Sequence, residues 1–129
     1  MENLYIAPIP SSPEVDFKFD ARVLSLRGES YPENAAAFYG DIIARLKQYL
    51  ARQSGQQIEV NIALAYFNSS STKMLFNLIE ALDDAVDAGN RVRLNWYHDE
   101  EDETILEFGE ELSEDFPAIE FISHAVRQA

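Results

Sequence analysis

The chain has 129 residues, 47% hydrophobic and 26% charged, a balance that excludes wholesale disorder and suffices for one buried core. It contains no cysteine, which excludes disulfides, thiol catalysis and cysteine-ligated zinc. Ten Lys and Arg against 23 Asp and Glu give a formal charge of −13, so nucleic acid and anionic lipid are repelled.

The N-terminus, Met1 to Tyr5, lacks the basic flank and apolar segment of a signal peptide, and no apolar stretch is long enough to span a bilayer. The expected location is therefore the cytoplasm, with no membrane insertion. Residues 1–13 read as an extended lead-in, because Pro8, Pro10 and Pro13 remove donors and restrict their predecessors. Val15 to Phe19 alternates apolar and charged residues, and Val23, Leu24 and Leu26 form a second short strand that stops at Gly28. These two predict an antiparallel hairpin joined at Asp20-Ala21.

Ser30-Tyr31-Pro32-Glu33 predicts a helix start, with a serine cap, a proline in the first turn and an acid at the positive end. Phe38, Tyr39, Ile42, Ile43, Leu46, Tyr49 and Leu50 continue it on one apolar stripe until Ser54-Gly55. Gly40 interrupts good helix formers, and close packing of a neighbour would account for it. Ile58 to Phe67 is nearly continuously apolar, the pattern of a central strand covered on both faces. Tyr66 and Phe67 read as packing at its end.

Asn68-Ser69-Ser70-Ser71-Thr72 then ends the strand and opens a second helix, with Leu75, Leu78, Ile79, Leu82, Ala85 and Val86 at helical spacing up to Gly89. Arg91 to Tyr97 alternates, placing Val92, Leu94 and Trp96 on one side. From Asp99 to Asp115 there are ten acids and no base, whereas the rest of the chain has 13 acids and 10 bases. That block reads either as a solvated face or as a docking surface for a basic partner, and the two are compatible. Ile105, Leu106, Phe108 and Leu112 give it a thin apolar seam, so it predicts a third helix ended by Pro117. Ile119, Phe121 and Ile122 suggest a last strand.

The expected architecture is α/β in the order β-β-α-β-α-β-α-β. It is a mostly parallel mixed sheet with an N-terminal antiparallel hairpin, in one domain spanning 1–129. Familiar catalytic constellations are weak. His98 and His124 lack short zinc-ligand spacing, and Thr104 stands where a calcium loop beginning at Asp99 needs glycine. No nucleophile elbow, glycine-rich phosphate loop or dinucleotide fingerprint occurs. The expectation is a non-enzymatic protein without metal or cofactor.

The junction Asn68 to Lys73 is the most informative segment. In open α/β sheets, sites gather beyond the carboxyl ends of strands. A helix N-terminus needs one cap, and four consecutive hydroxyls exceed that need. Composition alone favours capping and a polar loop. The functional alternative is phosphorylation, which would bring about −1.5 to −2 charge to exposed amides. Tyr31, Glu33 and Asn34 start the first helix near the same rim, where they either cap or shape a partner face. Lys73 opposes the helix dipole, as a residue serving a kinase or the phosphorylated state would.

YFNSSSTKML (Tyr66 to Leu75), GESYPENAAAFYG (Gly28 to Gly40) and RVRLNWYHDEEDE (Arg91 to Glu103) together resemble the SiaC family of bacterial regulatory phosphoproteins. The resemblance extends over most of the chain, from Arg22 to Phe121. It implies a STAS-like fold, that of anti-anti-sigma factors, in which an Asp-Ser pair lies at this junction. Asn68 stands in place of that aspartate and Ser69 in place of the phosphoacceptor, with Ser70, Ser71 and Thr72 as adjacent candidates. Serine departs from the threonine often found there in the family. The implied partners are a HATPase-type serine/threonine kinase, a PP2C-like phosphatase and a diguanylate cyclase, which the unmodified form binds and activates in cyclic-di-GMP and biofilm signalling. Asn68, Ser70, Lys73, Tyr31, Glu33 and Asn34 are the expected partner-binding residues. The alternatives are an anti-anti-sigma-like antagonist and a constitutive acidic adaptor.

Overall fold

A computed structural model describes residues 1–127. Six strands form one sheet in the order β1-β2-β3-β4-β5-β6: β1 (Leu4–Ile6), β2 (Glu14–Lys18), β3 (Val23–Ser30), β4 (Gln57–Phe67), β5 (Arg91–Asp99) and β6 (Glu120–Val126). The first three pair antiparallel, and β3 through β6 pair parallel. Three helices fill the crossovers: α1 (Ala35–Leu50), α2 (Ser69–Asp87) and α3 (Glu103–Asp115).

The mixed sheet, its antiparallel start and its three helices follow the expected order, with one addition. The lead-in contains strand β1, which pairs Leu4 with Phe17 and Ile6 with Val15. The prolines begin only at Pro8, so they leave Leu4 to Ile6 free to donate into the ladder.

Each parallel strand is added beside its predecessor in the same direction. Right-handed crossovers therefore place all three helices on one face. Ile58, Val60, Ile62 and Leu64 of β4 are buried beneath them, whereas Glu59, Asn61 and Ala63 on the opposite face are half-exposed. The expectation that β4 is covered on both faces is thus corrected: the far face is an open polar ladder. Along it Asn95 donates to Glu59 and Asn61 (2.9 Å each), and His124 Nε2 donates to Asn95 Oδ1 (2.9 Å). These hydrogen bonds lower the cost of placing polar groups on a central strand.

The covered face is aromatic where α3 lands. Trp96 is 1% exposed, and its indole N–H donates to the carbonyl of Ile105 (2.9 Å). Gly109 lies directly over the ring, where a Cβ would fall 2.5 Å from it. Close approach therefore selects glycine at position 109. At Gly40, the position where the sequence suggested it, a Cβ would meet nothing within 4 Å.

The start of α1 also differs from expectation. Asn34 is its cap, with Oδ1 accepting from the N–H of Ala37 (3.0 Å), and three alanines follow. Ser30 instead ends β3, which continues past Gly28 through a register shift between Gly28 and Glu29. Gly28 takes φ +118°, a left-handed conformation that glycine tolerates. Pro32 and Glu33 precede the helix, and the first turn holds no acid.

Candidate functional site

Parallel strands aim their carboxyl ends at one edge of the sheet, so β3, β4 and β5 deliver Ser30, Phe67 and Asp99 to the same rim. The β4–α2 junction lies on that rim. Asn68 is extended (φ −91°, ψ 177°), and its Oδ1 accepts from the N–H of Ser71 (3.0 Å). The asparagine, not one of the hydroxyls, caps α2. Its own N–H donates to the carbonyl of Ser30 (3.1 Å), which ties the loop to β3.

The four hydroxyls have different surroundings. Ser71 is 0% exposed, and its Oγ donates to the carbonyl of Ser30 (3.0 Å) and accepts from Ser30 Oγ (2.8 Å). Thr72 is half-buried, and its hydroxyl donates to the carbonyl of Ser69 (2.7 Å). Ser69 and Ser70 are exposed.

Beneath the junction lies a buried hydroxyl relay. Ser30 has one hydroxyl proton, and that proton goes to Ser71. Tyr39 of α1 must then donate to Ser30 Oγ, across 2.5 Å. The order is Tyr39 to Ser30 to Ser71 to the Ser30 carbonyl, with each hydroxyl donating once. Burial pushes the Tyr39 phenol up to about 12, against a smaller lowering by Ser30, so it stays protonated as a donor. The relay links β3, α1 and the first turn of α2.

Around Ser69 the rim carries two exposed tyrosines. Tyr31 and Tyr66 meet edge to face with centroids 5.8 Å apart and are 39% and 48% exposed. Tyr66 is thus a surface residue, contrary to the expectation of packing: β4 outruns its pairing with β5 there and keeps only β3 as a neighbour. Phe67 turns inward against Trp96 and Phe108, as expected. Glu33, Asn34 and Lys73 are exposed near the same edge. Asn34 has its side-chain oxygen engaged as the α1 cap, and Asn68 is engaged likewise in α2.

On the far side of Tyr66 a hollow of about 530 Å³ opens between the ends of β4 and β5 and the start of α3. Asp99, Glu101, Asp102 and Glu103 line it. Asp99 accepts from the Glu101 N–H (2.8 Å), and Asp102 caps α3 by accepting from Ile105 (3.1 Å). The acidic block thus supplies local caps as well as charge.

The histidines do not converge. His98 is buried on the helix side, with Nδ1–H donating to the Asp99 carbonyl and Nε2 accepting from Ser123 Oγ, both at 3.0 Å. His124 stacks on Tyr97 (4.6 Å) across the open face. Among the described residues, Asp83, Asp84 and Asp87 alone bring three metal-competent atoms together, on exposed turns of α2 away from the rim. Among the described residues no helix is long and apolar enough to cross a membrane.

The sequence pattern located the junction and its run of hydroxyls. It missed Ser30, Tyr39 and Tyr66. The alternation of β3 carried a signal for Ser30, since Leu24, Leu26 and Gly28 fix its inward parity, but the Ser-x-Pro pattern imitates a cap.

Comparison with known proteins is consistent over almost the whole length. The family model described as SiaC family regulatory phosphoprotein matches residues 6–126. An uncharacterized protein of Pseudomonas aeruginosa is 34% identical over 116 residues, covering 89% of this chain and 90% of its own. The apo-SiaC crystal structure from Pseudomonas aeruginosa superposes with a TM-score of 0.88 at 31% identity, over 97% of this chain and 100% of that one. SiaC from the same organism, in complex with the diguanylate cyclase SiaD that it activates, gives a TM-score of 0.87 at 32% identity, over 95% and 99%.

Proposed function

Since the chain belongs to the SiaC family of regulatory phosphoproteins, we propose that it is a non-enzymatic partner switch whose unmodified form binds and activates a diguanylate cyclase. Phosphorylation of Ser69 releases that partner. A HATPase-type serine/threonine kinase adds the group, and a PP2C-like phosphatase removes it.

The observation that carries this reading is the contrast within the hydroxyl run. Ser69 is exposed at the first residue of a 19-residue helix, whereas Ser71, two residues on, is buried and engaged. The first turn contains no acid and the neutral Asn68 cap takes only its Ser71 amide, so the helix dipole there favours an anion. A phosphoryl group on Ser69 therefore sits favourably without unfolding the domain. The same charge is costly to any partner fitted to a neutral hydroxyl, because docking would desolvate it. Only such a difference between states can shift binding. Tyr31 and Tyr66 beside it supply the exposed aromatic surface that interface centres favour.

The test is the intact mass after incubation with the cognate kinase and ATP. One phosphate is expected on the wild type and none on Ser69→Ala. Modification that persists in the variant at Ser70 or Thr72 moves the acceptor, and modification at neither protein removes the switch.

A further inference from the structure

Parallel strands are ordinarily covered on both faces. Here β3 to β6 are parallel, yet the face opposite the helices is open. The register shows which charges share that face. Glu14, Asp16, Glu59, Asp99 and Glu120 stand on it with Lys18, Arg27, Arg91 and Arg93. Five acids against four bases leave it nearly neutral, whereas the remainder of the chain has 18 acids and six bases of the total 23 and ten. The charges are also paired within the face: Arg27 with Glu14 (3.0 Å), Lys18 with Asp16 (3.8 Å), and Arg93 with Glu120 (3.1 Å) and Glu59 (3.9 Å). A hollow of about 250 Å³ lies on this side, lined in part by Gly28, Ala63, Ala65, Tyr97 and Val126.

The arrangement along the strands is self-complementary. Asp16, Ser25, Asn61, Asn95 and Ile122 pair side by side and form one row across β2 to β6. Two residues to one side of the row stand Lys18, Arg93 and Glu120, and two to the other side stand Glu14, Tyr97 and His124. A two-fold axis along the row lays each strand antiparallel over its own copy. Lys18 then meets the partner's Glu14, Arg93 meets the partner's Tyr97, and Glu120 meets the partner's His124. Four residues out, Arg91 meets the partner's Asp99. Opposite charges, and a cation over an aromatic ring, thus face each other twice by symmetry. Asp16 falls near its own copy but is offset by Lys18 (3.8 Å).

We infer that the open sheet face is the contact between two copies of this chain in a two-fold dimer. A chain at −13 repels its copy wherever acids dominate, and this face avoids that cost. Sheets stack about 10 Å apart, a gap that long charged side chains span. Five strands about 4.8 Å apart and about seven residues long give roughly 550 Å² per copy. The total of about 1,100 Å² clears the size of a specific interface and suits a dimer of about micromolar affinity. The helices and Ser69 stay on the outside, so the dimer presents two accessible junctions. The inference does not depend on the switch reading.

Sedimentation velocity of the full chain from about 5 to 500 µM tests this. A monomer–dimer equilibrium is expected for the wild type. Arg91→Glu and Ile122→Lys are each expected to weaken it at least about tenfold, with the melting temperature preserved. Lys18→Glu is expected to weaken it likewise, and adding Glu14→Lys is expected to recover most of the loss, because the pair is then reversed across the axis. Glu111→Lys on α3 is expected to leave the dimer unchanged. A wild type that stays monomeric throughout overturns the inference. So does a dimer that Arg91→Glu and Ile122→Lys leave intact, since it would use another surface.

Discussion

The Ser30 and Ser71 hydroxyls lie 2.8 Å apart in the interior, although 41 residues separate them in the chain. Their contact fastens the first turn of α2 to the end of β3, and Tyr39 extends it to α1. The exposed Ser69, proposed above as the phosphoacceptor, thus sits on a junction that is anchored from beneath. Ser30→Ala removes the acceptor of Tyr39 and the donor to Ser71 together. It is expected to lower stability by about 1–3 kcal/mol in urea unfolding, because buried polar groups lose their partners.

Alkaline melting reports on Tyr39 directly. Its phenol titrates near 10.0 when unfolded and is pushed up to about 12 in the fold. The folded state keeps the proton while the unfolded state loses it. Stability from this group is therefore complete below pH 10, and it falls between pH 10 and about 12. Tyr39→Phe is expected to melt with a shallower loss over that interval than the wild type. An identical slope would show that the buried phenol does not contribute.

Asn68 is accountable for the geometry of the junction. Asn68→Ala is expected to cost about 0.5–2 kcal/mol by leaving the Ser71 amide uncapped. Asn68→Asp keeps an acceptor and adds a favourable charge at the positive end of the helix, so it is expected to retain wild-type stability or exceed it. Thermal unfolding of the two variants, measured side by side, checks the order.

Most of the fold was legible because periodicity is local. The alternation of Val92, Leu94 and Trp96 and the helical spacing of Leu75, Leu78 and Leu82 each report a buried face without reference to distant residues. What failed was non-local. β1 exists only because β2 offers an edge, and the apolar run of β4 does not disclose that all its helices lie on one side. Ser30 looked like a cap because Pro32 follows it, and only the packed structure shows Tyr39 and Ser71 closing around its hydroxyl. At the site, the sequence pattern picked out the hydroxyl run but could not separate Ser71 from Ser69. That distinction depends on which side of α2 faces β3.

Gly109 and Trp96 offer a test of packing independent of the switch. A methyl group at position 109 would lie 2.5 Å from the indole, which is itself 1% exposed and held by the Ile105 carbonyl. Gly109→Ala is expected to destabilise by about 1–3 kcal/mol through overpacking, despite its better helix propensity. Chemical denaturation followed by fluorescence of the single tryptophan reads both the loss and any change in the native emission. Gly40→Ala, where the same methyl meets open space, is expected to stabilise by about 0.5–1 kcal/mol.

The most direct measurement is the affinity of the cognate diguanylate cyclase for two forms of this protein that differ by one phosphate on Ser69. Binding is expected to weaken by at least about 2 kcal/mol, roughly thirtyfold, on phosphorylation, with the melting temperature of the free protein preserved. Equal affinity of the two forms would contradict the account.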